Sequence, residues 1–376
     1  MMLYLIAGEA SGDAHGAALL RELLKLRPGL EWRGAGGPQM NAVAPGRIFL
    51  WTHEAVVGLW DVLLKYGYFR AQFHRMHREI LGLHPKAVIF VDYPGFNLRL
   101  ARYLKATGYR GQLIFYISPQ VWAWNRGRIP KMARFLDLML CIFPFEPSLY
   151  RQSGLRAEFV GHPLVAQLSR RRLAGDRDRD LVGLFPGSRG REVKRIFPIM
   201  LEAARRLRER QAGLRFYAAA VNEDAAFTMR RCAARAGFAG LEIGVGNAHE
   251  LMQRAWVGMV ASGTATMEAS YFGLPFVLIY KVSWLTYLIG RAVIRVDHLG
   301  MPNLLAERTL IPEFIQHRAN PAAIAQTLER LCNDSAARAR MLEGMLEVIG
   351  KLGLEDTGQH AARVISEHLG ETPAAV

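Results

Sequence analysis

Cysteine is scarce in this chain, and its placement excludes two classes of protein. The three cysteines, Cys141, Cys232 and Cys332, are odd in number and scattered through 376 residues. They offer neither a disulfide framework nor metal-ligand spacing, so they read as thiols of a reducing compartment. Histidine adds nothing for a metal: His15, His162 and His298 stand near loop motifs, but no His-x-x-x-His or His/Glu cluster occurs. No bound metal and no cofactor is therefore expected. Long apolar runs are missing too. Residues 136–145 are too few to cross a bilayer and include Asp137. The N-terminus lacks a basic region, and Gly8-Glu9 breaks its apolar run at once, which predicts no signal peptide and a cytoplasmic protein.

Acidic residues are in deficit. Asp and Glu number 33 against 48 Lys and Arg, a formal charge of +15. Such an excess calls for a polyanionic partner: nucleic acid, an anionic membrane surface or a phosphorylated substrate. No nucleic-acid-binding module is present, so nucleic acid is not expected. Several motifs are absent as well. Gly8, Gly12 and Gly16 do not fit Gly-x-Gly-x-x-Gly, no Gly-Lys-Ser/Thr follows Gly187, and no Gly-x-Ser-x-Gly elbow occurs.

What is present is an alternation of apolar strands and amphipathic helices. Hydrophobic residues make up 51% of the chain, enough for two cores. Continuous apolar runs at 3–7, 87–91, 112–117 and 138–142 read as parallel strands with both faces covered. Helical patterns such as 14–25 and 69–83 lie between them. The pattern restarts with strands at 181–185, 214–220, 241–243, 257–261 and 275–280. Such alternation predicts an α/β fold of two doubly wound domains. The segment 169–180, with five Arg and three Asp, reads as the linker.

Two glycine-bearing turns, Gly8 to Asp13 and Gly187 to Gly190, one opening each half of the chain, carry most of the message. Gly187-Ser188-Arg189-Gly190 follows a strand and opens a helix, so its amides can cradle a diphosphate while Arg189 grips it. The alternative is an ordinary turn with an exposed Arg. Ser262-Gly263-Thr264 opens another helix, with Glu268 one turn inside, where a carboxylate can accept both hydroxyls of a ribose; the alternative is a capped helix with a surface Glu. The loop Gly8-Glu9-Ala10-Ser11-Gly12-Asp13 suits backbone approach to a sugar or acyl-bearing substrate, or simply a helix capped by Ser11 or Asp13. Asp92 ends a buried strand and faces the usual ligand crevice, where burial would fit it for general-base work; it equally suits an Asx-turn before Tyr93-Pro94-Gly95. Trp122 and Trp124 offer an apolar platform or a plug beneath the loop. Two stretches mix aromatic and basic residues, Trp60 to Arg78 and Trp284 to Arg295. They suit a bilayer interface, or core helices with a solvated basic edge.

Six blocks, in order and spanning nearly the whole chain, resemble the lipid-A-disaccharide synthase family: Ala7 to Asp13, Asp92 to Asn97, Ser118 to Trp124, Leu184 to Gly190, Ser262 to Glu268 and Pro302 to Leu305. The resemblance implies a GT-B glycosyltransferase, two Rossmann-like domains facing a cleft. Residues 1–165 would form the acceptor and lipid domain, with a last helix in 350–376 packing back on it, and 181–349 would hold the UDP-sugar. It implies transfer from UDP-2,3-diacylglucosamine to 2,3-diacylglucosamine 1-phosphate at the inner-membrane surface, with inversion, release of UDP and no metal at the reaction centre. A homodimer is carried as a further partner. Asp92 resembles the family's base and Glu268 the ribose-binding acid of this fold; Glu9, Ser11 and Asn303 match motif positions near the cleft. Gln120 and Tyr93 depart from the family pattern and bear only on acceptor detail. The competing readings are another enzyme of this fold, such as a UDP-N-acetylglucosamine epimerase, and a non-catalytic protein that binds membrane or nucleic acid through charge.

Overall fold

Apolar runs become strands because two helical layers leave a central sheet no contact with water. In Ala87–Val91 all five side chains are buried. The computed structural model describes residues 1–51, 66–293, 296–353 and 355–370. The chain divides into two units, one of Met1–Ala166 with Leu352–Val376, the other of Gln167–Lys351.

The first unit holds β1 (Met2–Ala7), β2 (Glu31–Gly36), β3 (Ile48–Leu50), β4 (Ala87–Val91), β5 (Gln112–Tyr116), β6 (Leu138–Cys141) and β7 (Ala157–Phe159). They form one parallel sheet in the order β3-β2-β1-β4-β5-β6-β7. The second holds β8 (Asp178–Phe185), β9 (Arg215–Ala220), β10 (Leu241–Val245), β11 (Ala255–Ala261), β12 (Phe276–Tyr280) and β13 (Glu313–Ile315). Its order, β10-β9-β8-β11-β12-β13, repeats the same pattern. Each sheet grows outward from its first strand and then crosses back to the other side of it. The crossing leaves a crevice at the carboxyl ends, between β1 and β4 in one unit and between β8 and β11 in the other. Register fixes what emerges there: Ala7 stands opposite Val91, and Phe185 opposite Val260.

The first core centres on Tyr4, Phe90, Phe115 and Met139, joined by Met76 and Ile80 from the helix Tyr66–Leu83. Phe69 and Phe73 of that helix also pack on it. Phe69 and Phe73 therefore serve the core, as the plainer of the two sequence readings has it, with Arg70, Arg75 and Arg78 exposed. In Trp284–Val293, by contrast, Trp284 and Leu288 are exposed. Trp60 and Arg295, which bounded the two aromatic–basic stretches, lie outside the described residues.

The helix Thr357–His368 belongs to the first unit and packs on Ala10–Leu26. Asp356 caps it by accepting from the amides of Gly358 and Gln359. Lys86 Nζ donates to Leu369 O, and His368 Nε2 lies 3.0 Å from Gln112 Oε1.

Two sequence readings need correction. Strands β2, β3, β7 and β13 were not foreseen: β2 is broken by Arg33 and two glycines, and the others span three residues each, too few for a period to show. Nor is 169–180 a free linker, since the division between units falls at Ala166/Gln167. Arg177 donates to the carbonyls of Met252, Ala255 and Phe272. Gln253 binds Arg171 O and the amide of Leu173. The charged run is stitched onto the second unit by the very residues that made it look solvated.

Candidate active site

In the first unit the loops after β1 and β4 meet. The Glu9 and Asp92 carboxyls lie close enough for each to act on the other, and the Tyr93 amide lies beside Asp92. Burial first, then the charge of Glu9, push the Asp92 carboxyl up to about 6. That value suits a group that takes a proton near neutral pH. The backbone there is strained: Asp92 and Tyr93 both adopt left-handed conformations, φ +49° and +48°. Each such residue costs about 1–3 kcal/mol and must be held by its surroundings. Asn97, fully buried, is the clamp; its Nδ2 donates to Val91 O at 3.3 Å and to Asp92 O at 2.7 Å. Gly8 is required opposite, because a Cβ there would overlap the Tyr93 ring. Ser11 Oγ donates to Glu9 Oε1 at 3.3 Å, so Glu9, Ser11 and Asp92 are brought together. Asp13, read from sequence as a cap of its own helix, instead accepts from the amides of Gly37, Gln39 and Met40 and so caps the next helix, Pro38–Val43.

The two tryptophans part company. Trp122 is buried, and its Nε1 donates to Glu146 Oε1 at 2.9 Å; Trp124 is 48% exposed. Glu146 also accepts from Ser118 Oγ and the amides of Ile142 and Phe143. Burial nevertheless raises its carboxyl to about 7. His15 and His162 lie near one another, and burial lowers both to about 4, so both are neutral at physiological pH.

In the second unit, the Gly187 turn and the Gly263 turn line one cavity of about 470 Å³. Gly187, Ser188 and Arg189 come from the end of β8, and Ser262, Gly263 and Thr264 from the end of β11. Glu268 reaches it from the helix Thr264–Tyr271. Gly190 does not line the cavity; it is the first residue of the helix Gly190–Arg210, whose N-terminal end faces the same side. Gly187 has φ +100°, and a Cβ there would meet Glu192 Oε2 at 2.7 Å. Arg189 stands at the rim, its Nη1 3.0 Å from Glu192 Oε1. A helix start, exposed amides and a guanidinium make a fit for anionic oxygens. Among the described residues no group of three His, Cys, Asp or Glu side chains gathers as a metal site.

Asn303 is a correction. It is fully buried, and all its hydrogen-bonding capacity is spent inside the fold. Nδ2 donates to Ile311 O and Glu313 Oε1, and Oδ1 accepts from the amides of Leu310 and Ile311. Its side chain braces the segment 303–313 and is not available to a sugar. Sequence reasoning also missed Glu146, Arg171 and His249. The last two line the cavity from elsewhere in the chain, and no local pattern announces them.

Two parallel-sheet α/β units, each with a crossing point beside its first strand, define the GT-B fold class. Among solved structures the chain resembles a putative UDP-N-acetylglucosamine 2-epimerase from Listeria monocytogenes, at TM-score 0.65 and 12% identity, covering 100% of this chain and 99% of that one. It also resembles the calicheamicin glycosyltransferase CalG4, at TM-score 0.57 and 16% identity, covering 98% of each. These likenesses speak for the fold alone. Sequence goes further: the lipid-A-disaccharide synthetase family model matches residues 3–361. The lipid-A-disaccharide synthase of Geobacter metallireducens is 38% identical over 377 residues, 98% of this chain and 97% of that protein. The chain belongs to the lipid-A-disaccharide synthetase family and is a glycosyltransferase. Neither an epimerase nor a non-catalytic basic protein is favoured. Among the described residues no helix is long and apolar enough to cross a membrane.

Proposed function

We propose that the chain joins UDP-2,3-diacylglucosamine to 2,3-diacylglucosamine 1-phosphate in a β-1,6 linkage and releases UDP. The observation that carries this reading is the cavity lined by the Gly187 and Gly263 turns, in a chain of this family. The diphosphate lies against Gly187, Ser188 and Arg189 on one side and Ser262, Gly263 and Thr264 on the other, and the helix that Gly190 begins adds its N-terminal dipole. Arg189 exchanges Glu192 for phosphate oxygens. The ribose hydroxyls meet Glu268.

Asp92 is the general base. Its carboxylate takes the proton of the acceptor hydroxyl as that oxygen bonds to the anomeric carbon, and the bond from that carbon to the diphosphate breaks. Amides, the helix start and Arg189 stabilise the charge that develops on UDP. Glu9 tunes Asp92 by keeping its proton affinity near neutrality, and Ser11 holds Glu9. Acylated substrates require the enzyme to work at the cytoplasmic face of the inner membrane, and the exposed Trp284 and Leu288 fit a peripheral contact with it.

Mass spectrometry of the product formed by purified protein from both lipid substrates tests the reading. A disaccharide 1-phosphate with stoichiometric UDP is expected. Hydrolysis or epimerisation of the sugar nucleotide without acceptor would overturn it.

A further inference from the structure

The residues around Glu268 form a chain of contacts that the catalytic scheme leaves unused. Arg171 Nη1 lies 2.9 Å from His249 Nδ1, and His249 Nε2 lies 3.5 Å from Glu268 Oε2. All three line the cavity. A guanidinium can only donate, so Nδ1 must accept, and the neutral imidazole then carries its proton on Nε2. That N–H faces the carboxylate. The ring is held against Phe272, with centroids 5.4 Å apart. Arg171 is held in turn by Gln253, whose Nε2 donates to both Arg171 O and His249 O at 3.0 Å.

We propose that Arg171 and His249 are positioning residues for nucleotide recognition: Arg171 fixes the tautomer of His249, and His249 presents its Nε2–H to Glu268 so that the carboxylate keeps its free lone pairs for the ribose hydroxyls. The inference rests on the reading of this cavity as the nucleotide site. A carboxylate left free to rotate would still be present after His249 is removed, but it would no longer be aimed. The segment that carries Arg171 thus gains a purpose: its stitching to the second unit delivers a guanidinium to His249 Nδ1.

Binding of UDP and of 2′-deoxy-UDP, measured by calorimetry on the full chain, separates the possibilities. The wild-type protein should prefer UDP by about tenfold, the worth of one hydrogen bond to a charged group. Glu268→Ala should abolish that preference. His249→Phe keeps the ring on Phe272 and Arg171→Met keeps the stem; both should bring the preference to within about twofold of unity while 2′-deoxy-UDP affinity stays within about twofold. His249→Gln, which returns an N–H to the position of Nε2, should restore it. Should both His249→Phe and Arg171→Met keep the full preference while Glu268→Ala loses it, the positioning role is wrong and the nucleotide site stands. A wild-type protein that binds neither nucleotide, or a preference that survives Glu268→Ala, would remove the nucleotide reading itself. Arg171 is exposed, so the Met variant remains informative if the Phe variant fails to fold.

Discussion

Beside β1 and β4 the chain sets two carboxylates against each other, Glu9 and Asp92, the latter on strained backbone. Beside β8 and β11 it sets two amide-rich turns around a cavity, with Arg189 at the rim. The strand orders match, and the loops leave corresponding strands. The side chains are opposite in kind: one crossing point gathers carboxylates, the other amide-rich turns and a guanidinium. Topology supplies a crevice and is silent about what fills it, so function on such folds is argued from the side chains at the crossing.

The comparison can be broken one side at a time. Asp92→Asn should cost about 10²–10⁴-fold in turnover, the usual worth of a general base, with UDP affinity within about twofold. The same variant should be the more stable protein above pH 6. A carboxyl whose folded value is raised loses stability as pH climbs from its unfolded value through about 6, by up to about 2–3 kcal/mol here. Melting curves at pH 4 and pH 8 would show the difference only at the higher pH. On the other side, Arg189→Ala should weaken UDP binding by about ten- to a hundredfold without moving the acid limb of the pH–rate profile. If UDP affinity is unchanged, the cradle is misread.

A smaller effect separates bracing from binding. Asn303→Ala leaves the buried amides of Leu310 and Ile311 without their acceptor and should lower stability by about 1–3 kcal/mol, read as a fall in melting temperature. The smallest change sharpens the acidic side. The wild-type kcat/KM should fall as pH drops through about 6. Glu9→Gln should move that limb to lower pH but not to the ordinary aspartate value, because burial is the larger cause and survives the substitution. A limb that stays in place would mean that Glu9 does not act on Asp92.

Much of this was legible in the sequence because both crossing points follow continuous apolar strands. A run such as Leu184-Phe185 ending in Pro186-Gly187 announces its own carboxyl end, and the functional loop begins there. Asp92 was visible for the same reason. The signal faded where contacts are distant along the chain. Arg171 and His249 stand 78 residues apart, and the Arg/Asp composition around Arg171 resembles a linker because the hydrogen bonds from Arg177 to backbone carbonyls cannot be read from composition. Glu146 hides in an ordinary Phe-Glu-Pro turn, and only tertiary contact shows four donors converging on it. Asn303 stood in a recognisable motif, yet a motif residue can serve the loop rather than the ligand.

The helix Thr357–His368 makes the first unit discontinuous along the chain. A ribosome delivers residues 1–166 long before the strand of peptide that completes their fold. At about 5–20 residues per second, the intervening 167–351 alone occupy roughly ten seconds or more. Through that interval the Ala10–Leu26 helix waits without its companion, its apolar side open to wrong partners. The nascent protein should therefore lean on holding chaperones early, and early stop codons near residue 355 should yield aggregates rather than a usable half-enzyme.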